Sequence, residues 1–116
     1  MNEVFAGNLL AGLPDTLQDE VSSILVSNSG IRIERIVSHG QASPDGMWYD
    51  QQHYEWVLLV SGGAAIFFEG ETSANVLKPG DYLLIPPHCR HRVAWTDPLQ
   101  HTVWLAVHFG FELTPG

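Results

Sequence analysis

The hydrophobic pattern of the chain changes period once. Near the start, Pro14-Asp15-Thr16-Leu17-Gln18 has the form of a helix entry, with Asp15 as N-cap and Gln18 three residues on. Leu17, Val21, Ile24 and Leu25 then fall on one helical stripe, which predicts a short amphipathic helix laid as a lid over the rest. Ser27-Asn28-Ser29-Gly30 breaks that pattern, and from Ile31 onward the period is two. Ile31, Ile33 and Arg35 share a face, and the doublet Ile36-Val37 predicts a register shift or a bulge. A loop follows over residues 40–46, and β-prone runs then cover 48–50, 53–60, 64–68, 73–77, 82–85, 91–95 and 102–109. Gly or Pro punctuates these runs, and Ser61-Gly62-Gly63 reads as a hairpin turn. Short strands at about ten-residue spacing predict an all-β sandwich or barrel.

The segment 78–91 is the most specific. Lys78-Pro79-Gly80-Asp81 is turn chemistry, Tyr82 to Ile85 is a buried strand, and Pro86-Pro87 removes two backbone donors and ends it. His91 opens the next strand, whose alternation places His91, Val93 and Trp95 on one face.

Length and charge narrow the function. One domain of 116 residues, 45% of them apolar, is enough for one modest core. Thirteen acidic against five basic residues, a net charge of −8, argue against nucleic acid as a partner. No basic, apolar leader opens the chain and no apolar run approaches the roughly 18 residues of a membrane span, so the expectation is a cytoplasmic protein that does not bind membranes. Cys89 is the single cysteine, which excludes an internal disulfide. No Gly-x-Ser-x-Gly elbow, phosphate-cradling loop, His-Glu-x-x-His or Cys-x-x-Cys is present.

Chemistry concentrates around Glu55. A carboxylate within an apolar run needs a metal, a cation such as Arg35, Arg90 or Arg92, or hydrogen-bond donors. His53 lies two residues earlier and Gln51 four, so on an extended strand all three side chains point the same way.

These residues carry a resemblance to the cupin family. Glu55, six residues and Gly62 match the second half of cupin motif 1, while Gly80, five residues, Pro86-Pro87-His88, two residues and His91 match motif 2, with His88 in place of a Gly and Trp95 in place of an Asn. The resemblance covers residues 46–109 and implies a double-stranded β-helix, or jelly-roll cupin barrel, over 30–109, preceded by an arm and helix over 1–29 and followed by a tail over 110–116. The motif 1 His-x-His is missing, because its positions hold Tyr49 and Gln51, or Trp48 and Asp50. The family topology sets the last strand beside the strand of Glu55, which implies that His108 approaches His53 and Glu55. The implied metal set is therefore Glu55, His91, His53 and His108, holding a divalent Zn, Fe, Mn, Ni or Cu ion. Gln51, Tyr49, Trp48, Trp95 and His88 are candidate substrate contacts.

Three readings stay open: a metal-dependent cupin acting on a small molecule, a ligand-binding or sensory cupin without chemistry, and a metal-free epimerase-like site pairing His53 or His91 with Tyr49 or Tyr82. His39 and His101 flank loops and read as solvated. A homodimer is expected from the family.

Overall fold

The computed structural model describes residues 3–110 and contains eight strands and no helix among them. The strands are β1 (Val21–Ser27), β2 (Ile31–Ser38), β3 (Tyr54–Ser61), β4 (Ala64–Phe68), β5 (Asn75–Leu77), β6 (Tyr82–Ile85), β7 (His91–Thr96) and β8 (Thr102–Phe109). A five-stranded antiparallel sheet has the order β1-β2-β8-β3-β6, and a three-stranded sheet has the order β5-β4-β7. With no helix among the described residues, none is long enough to cross a membrane. Of the tail over 110–116, all but Gly110 lies outside the described residues.

The expected lid helix is instead strand β1. Val21, Ile24 and Val26 are β-branched, Ser22, Ser23 and Ser27 are poor helix residues, and the free edge of β2 is adjacent in sequence. β1 pairs antiparallel with β2 from Val21↔Val37 to Ser27↔Arg32, so sheet hydrogen bonds outweigh the capping pattern at Asp15 and Gln18. Being an edge strand, β1 leaves Ile24, Leu25 and Val26 exposed.

The core lies between the two sheets. Glu55, Val57 and Leu59 of β3 alternate inward with the predicted period, and Leu59 packs with Ala64, Ile66, Leu77, Ile85, Trp104 and Ala106. Each buried Val, Leu or Ile among these contributes about 1.5–3 kcal/mol. β8 is held on both sides, by β2 and β3, and its pairing with β2 is continuous from Ile31↔Phe109 to Ser38↔Thr102, so no bulge occurs at Ile36-Val37.

The register shifts fall elsewhere, and one of them redirects a side chain. Between β4 and β7, Ile66 pairs with Val93 but Ala65 pairs with Trp95, leaving Ala94 as an extra residue. His91 and Val93 therefore face the interior, whereas Trp95 is turned out, 45% exposed, with its ring against Gly63. The Ser61-Gly62-Gly63 turn is not a hairpin: β3 and β4 belong to different sheets, and the turn carries the chain from one to the other. Gly62 has φ +89° there, and a Cβ on it would lie 2.6 Å from the His101 carbonyl oxygen, so β8 packs where any side chain would go.

Candidate functional site

A cavity of about 180 Å³ opens between the sheets. Its polar lining is Glu20, Ser22, Glu34, Tyr49, Glu55 and His91, and its apolar wall is built from Ile36, Val57, Ile66, Ile85, Val93 and Trp104. His91 comes from the three-stranded sheet, extended by a bridge in which Tyr49 N–H donates to the His91 carbonyl at 2.7 Å and His91 N–H to that of Tyr49 at 3.1 Å. Glu34 and Glu55 come from β2 and β3 of the opposing sheet, and Glu20 immediately precedes β1.

His91 and Glu55 are almost fully buried, at 5% and 8% exposure. The Nδ1–H of His91 donates to the Cys89 carbonyl oxygen at 2.8 Å, since a carbonyl can only accept. This fixes the ring and leaves the Nε2 lone pair pointing across the cavity, 3.9 Å from Glu55 Oε1 and without a hydrogen-bond partner among the described residues. The Tyr49 ring stacks on the imidazole with centroids 5.5 Å apart. Gln51 stands where the family motif has a histidine; its Nε2–H donates to Glu55 Oε1 at 3.1 Å, and its own Oε1 is buried without a partner. None of the proposed arginines meets Glu55: Arg35 donates to the Leu9 and Ala11 carbonyls, Arg90 pairs with Glu69 and Arg92 with Asp45.

Burial and nearby carboxylates shape the acidities. Burial raises the pKa of the Glu20 carboxyl above 4.5, a hydrogen bond from Ser38 opposes this, and the negative charges of Glu55 and Glu34 add to the rise. The Tyr49 phenol is likewise raised above 10.0, first by burial and then by Glu20 and Glu55.

His53 and His108 form a separate centre. Glu55 and His108 do face each other in register, but the His108 ring engages other partners. Its Nε2 lies 3.2 Å from Glu34 Oε1, and its Nδ1 accepts from the His53 Nε2–H at 2.8 Å. Arg32 Nε donates to the same Glu34 oxygen at 2.5 Å. His53 and His108 line an outer groove with Arg32 and the Ser27–Gly30 turn, not the cavity. Burial lowers the His108 pKa below 6.5, with Arg32 and His53 acting in the same direction and Glu55 and Glu34 against it. The four residues Glu55, His91, His53 and His108 thus divide into two pairs, and no group of three or more His, Cys, Asp or Glu among the described residues is disposed to hold a metal.

The other candidates lie outside the cavity. Trp48 packs on Phe67 with Arg90 over its ring at 5.6 Å. Trp95 is turned out by the bulge, and Tyr82 is 64% exposed, its ring tilted against Trp56. His88 bonds Asp50 at 2.8 Å on the surface, and its φ of +60° is the left-handed conformation that a Gly would adopt most easily. His39 and His101 are half-buried, their rings 4.8 Å apart, with His101 Nε2–H donating to the Pro14 carbonyl at 2.5 Å. Sequence reasoning missed Glu20, Ser22 and Glu34. Glu34 was legible as a charge inside an alternating strand, but the inward face of β2 proves to be that of Glu34 and Ile36.

No protein-family profile and no curated protein sequence matches the chain. Among solved structures, a protein of Ralstonia eutropha JMP134 provisionally named a mannose-6-phosphate isomerase is 53% identical, with 93% of this chain and 100% of that chain covered and a TM-score of 0.91. A cupin superfamily protein of Desulfitobacterium hafniense DCB-2 superposes at TM-score 0.69 over 85% of this chain and 84% of that one, with 17% identity. The chain belongs to one family with the Ralstonia protein, and its fold is the cupin double-stranded β-helix. A further RmlC-like cupin with a double-stranded β-helix, from Methanocaldococcus jannaschii, superposes at TM-score 0.65 over 84% of this chain and 86% of its own, with 16% identity. These two distant cupins share the fold, and the halves of motifs 1 and 2 found in this chain converge on the cavity as Glu55 and His91.

Proposed function

We propose that this chain is a small acid–base enzyme of the isomerase type, acting on a hydroxylated carbonyl compound held in the cavity. The observation that carries this reading is His91: a buried imidazole, locked by Cys89, whose free Nε2 faces Glu55 at 3.9 Å inside the cavity. The provisional isomerase name of the Ralstonia protein agrees with it.

In this reading His91 Nε2 takes the proton from the carbon beside the substrate carbonyl, and Glu55 stabilises the imidazolium that forms. Glu20, whose carboxyl keeps its proton to higher pH because it is buried, gives that proton to the developing oxyanion. The enediol then returns a hydroxyl proton to Glu20 and takes the His91 proton on its other carbon, so proton and charge balance without a co-reactant. The apolar wall of Ile36, Val57 and Trp104 excludes water from the intermediate.

The test is deuterium wash-in. The protein is incubated in D₂O with a panel of aldoses, ketoses and shorter hydroxyaldehydes and hydroxyketones, and the C–H beside the carbonyl is followed by NMR. Exchange with one compound class, lost in His91→Ala, is the expected result; no exchange across the panel sinks the reading.

A second reading is favoured by one atom. Gln51 Oε1 is buried without a partner beside the Glu55–His91 pair, so Glu55, His91 and Gln51 together supply three donors for a divalent ion. Such an ion would polarise a bound carbonyl. Elemental analysis after loading with Zn, Mn, Fe(II), Ni or Cu tests this: near-stoichiometric metal that is lost in both His91→Ala and Gln51→Leu supports it, and no retained metal refutes it.

A further inference from the structure

The cavity has an unbalanced polar lining. Glu20, Glu34 and Glu55 present carboxyl oxygens, and His91 presents an unpartnered Nε2, all of them acceptors when the carboxyls are ionised and the imidazole is neutral. The Ser22 and Tyr49 hydroxyls and the Trp104 indole are the lining side chains that can donate, and no Lys or Arg is among the lining residues. Glu34 is compensated from behind, by Arg32 and His108 in the outer groove. Glu55 receives only a neutral amide, from Gln51, and Glu20 only the Ser38 hydroxyl at 3.3 Å. Two carboxyl groups and a lone pair therefore face one small volume without a cation.

We propose that the ligand of this cavity is a small organic ammonium compound, such as an amino sugar or an amino alcohol, and not a phosphorylated sugar. This rests on the cavity being the functional site, as above, and adds the charge of its ligand. An ammonium group supplies several donors and one positive charge to the Glu20 and Glu55 carboxyl groups at once and leaves His91 Nε2 free. The Tyr49 and Trp104 rings lining the same space suit the cation further, and Ile36, Val57 and Ile66 receive a short carbon skeleton. A phosphate finds the opposite: no lining cation, few N–H or O–H donors, and carboxylates that repel it. The name of the Ralstonia relative implies a 6-phosphate substrate for that protein; the lining here does not provide for one.

The experiment is a calorimetric titration of the full chain, treated with EDTA, at neutral pH. The probes share one skeleton and differ in charge: mannosamine, mannose and mannose 6-phosphate, with ethanolamine as a minimal amine. The expected order is mannosamine tightest, mannose weaker by about tenfold or more, and mannose 6-phosphate without measurable heat. Glu55→Gln and Glu20→Gln should each reduce the preference for mannosamine over mannose several-fold. The proposal is overturned if mannose 6-phosphate binds as well as mannosamine, if neither amine binds, or if the preference for the amine survives both substitutions. Binding is read without turnover, so the two readings fail separately: His91-dependent deuterium wash-in with neutral sugars but no amine preference removes only the charge assignment, and amine binding without any wash-in removes only the catalytic one.

Discussion

The Glu55–His91 pair spans the two sheets and the His53–His108 pair lies at one end of the larger sheet, and they differ in what they have left to offer. His91 spends its Nδ1–H on the Cys89 carbonyl and keeps Nε2 free inside a cavity. His108 Nδ1 bonds to His53 and its Nε2 faces Glu34 Oε1 at 3.2 Å, so both edges of the ring are occupied before any ligand arrives. The difference lies in where each partner sits: a backbone carbonyl two residues away engages one edge of a ring, whereas a carboxylate and a second imidazole on opposite sides engage both.

Substitutions test this division, the largest effect first. His91→Ala should lower isomerase-type turnover by about 10²–10⁴-fold while the circular dichroism and melting curve stay near those of the parent. His108→Ala should do the reverse, costing about 1–3 kcal/mol in denaturant unfolding because Glu34 and His53 lose a buried partner, with the cavity chemistry retained. Comparable losses of turnover in the two variants would erase the distinction. His53→Ala, which removes one half-exposed hydrogen bond, should cost only about 0.5–1.5 kcal/mol in the same assay.

The smallest effects concern pH, and they carry opposite signs in the two regions. The His108 pKa is lowered on folding, so the unfolded chain binds the proton more tightly and stability is lost as pH falls from 6.5 through the lowered value. The Glu20 pKa is raised, so the folded chain binds the proton more tightly and stability is lost as pH rises from 4.5 through the raised value. Unfolding curves collected across mildly acidic pH should therefore lose their acid-side decline in His108→Gln and their opposing slope in Glu20→Gln; unchanged profiles in both would refute the assigned causes.

Much of the fold was legible. The runs at Ala64–Phe68, Tyr82–Ile85 and Thr102–Phe109 were bounded by Gly and Pro and coincide with β4, β6 and β8. Residues 15–25 misled because their apolar spacing fits a helix, while the decisive fact, an unpaired β2 edge beside them, is a tertiary one. Glu55 and His91 were legible from motif spacing. Trp95 was not, since one extra residue at Ala94 reverses the face of everything after it and leaves no mark on the apolar pattern. Nor were Glu20 and Glu34, whose inward direction depends on which side of β2 faces the other sheet.

The position of β1 at the open edge of the larger sheet has a consequence for how such a protein changes over generations. Glu20 and Ser22 reach the cavity from the margin of the molecule, in and beside a strand exposed along most of its length, whereas Glu55 and His91 sit on strands locked into the interior. Side chains on this margin can thus be exchanged at little cost to the packing between the sheets. A lineage can retune the rim of its cavity without rebuilding the barrel around it.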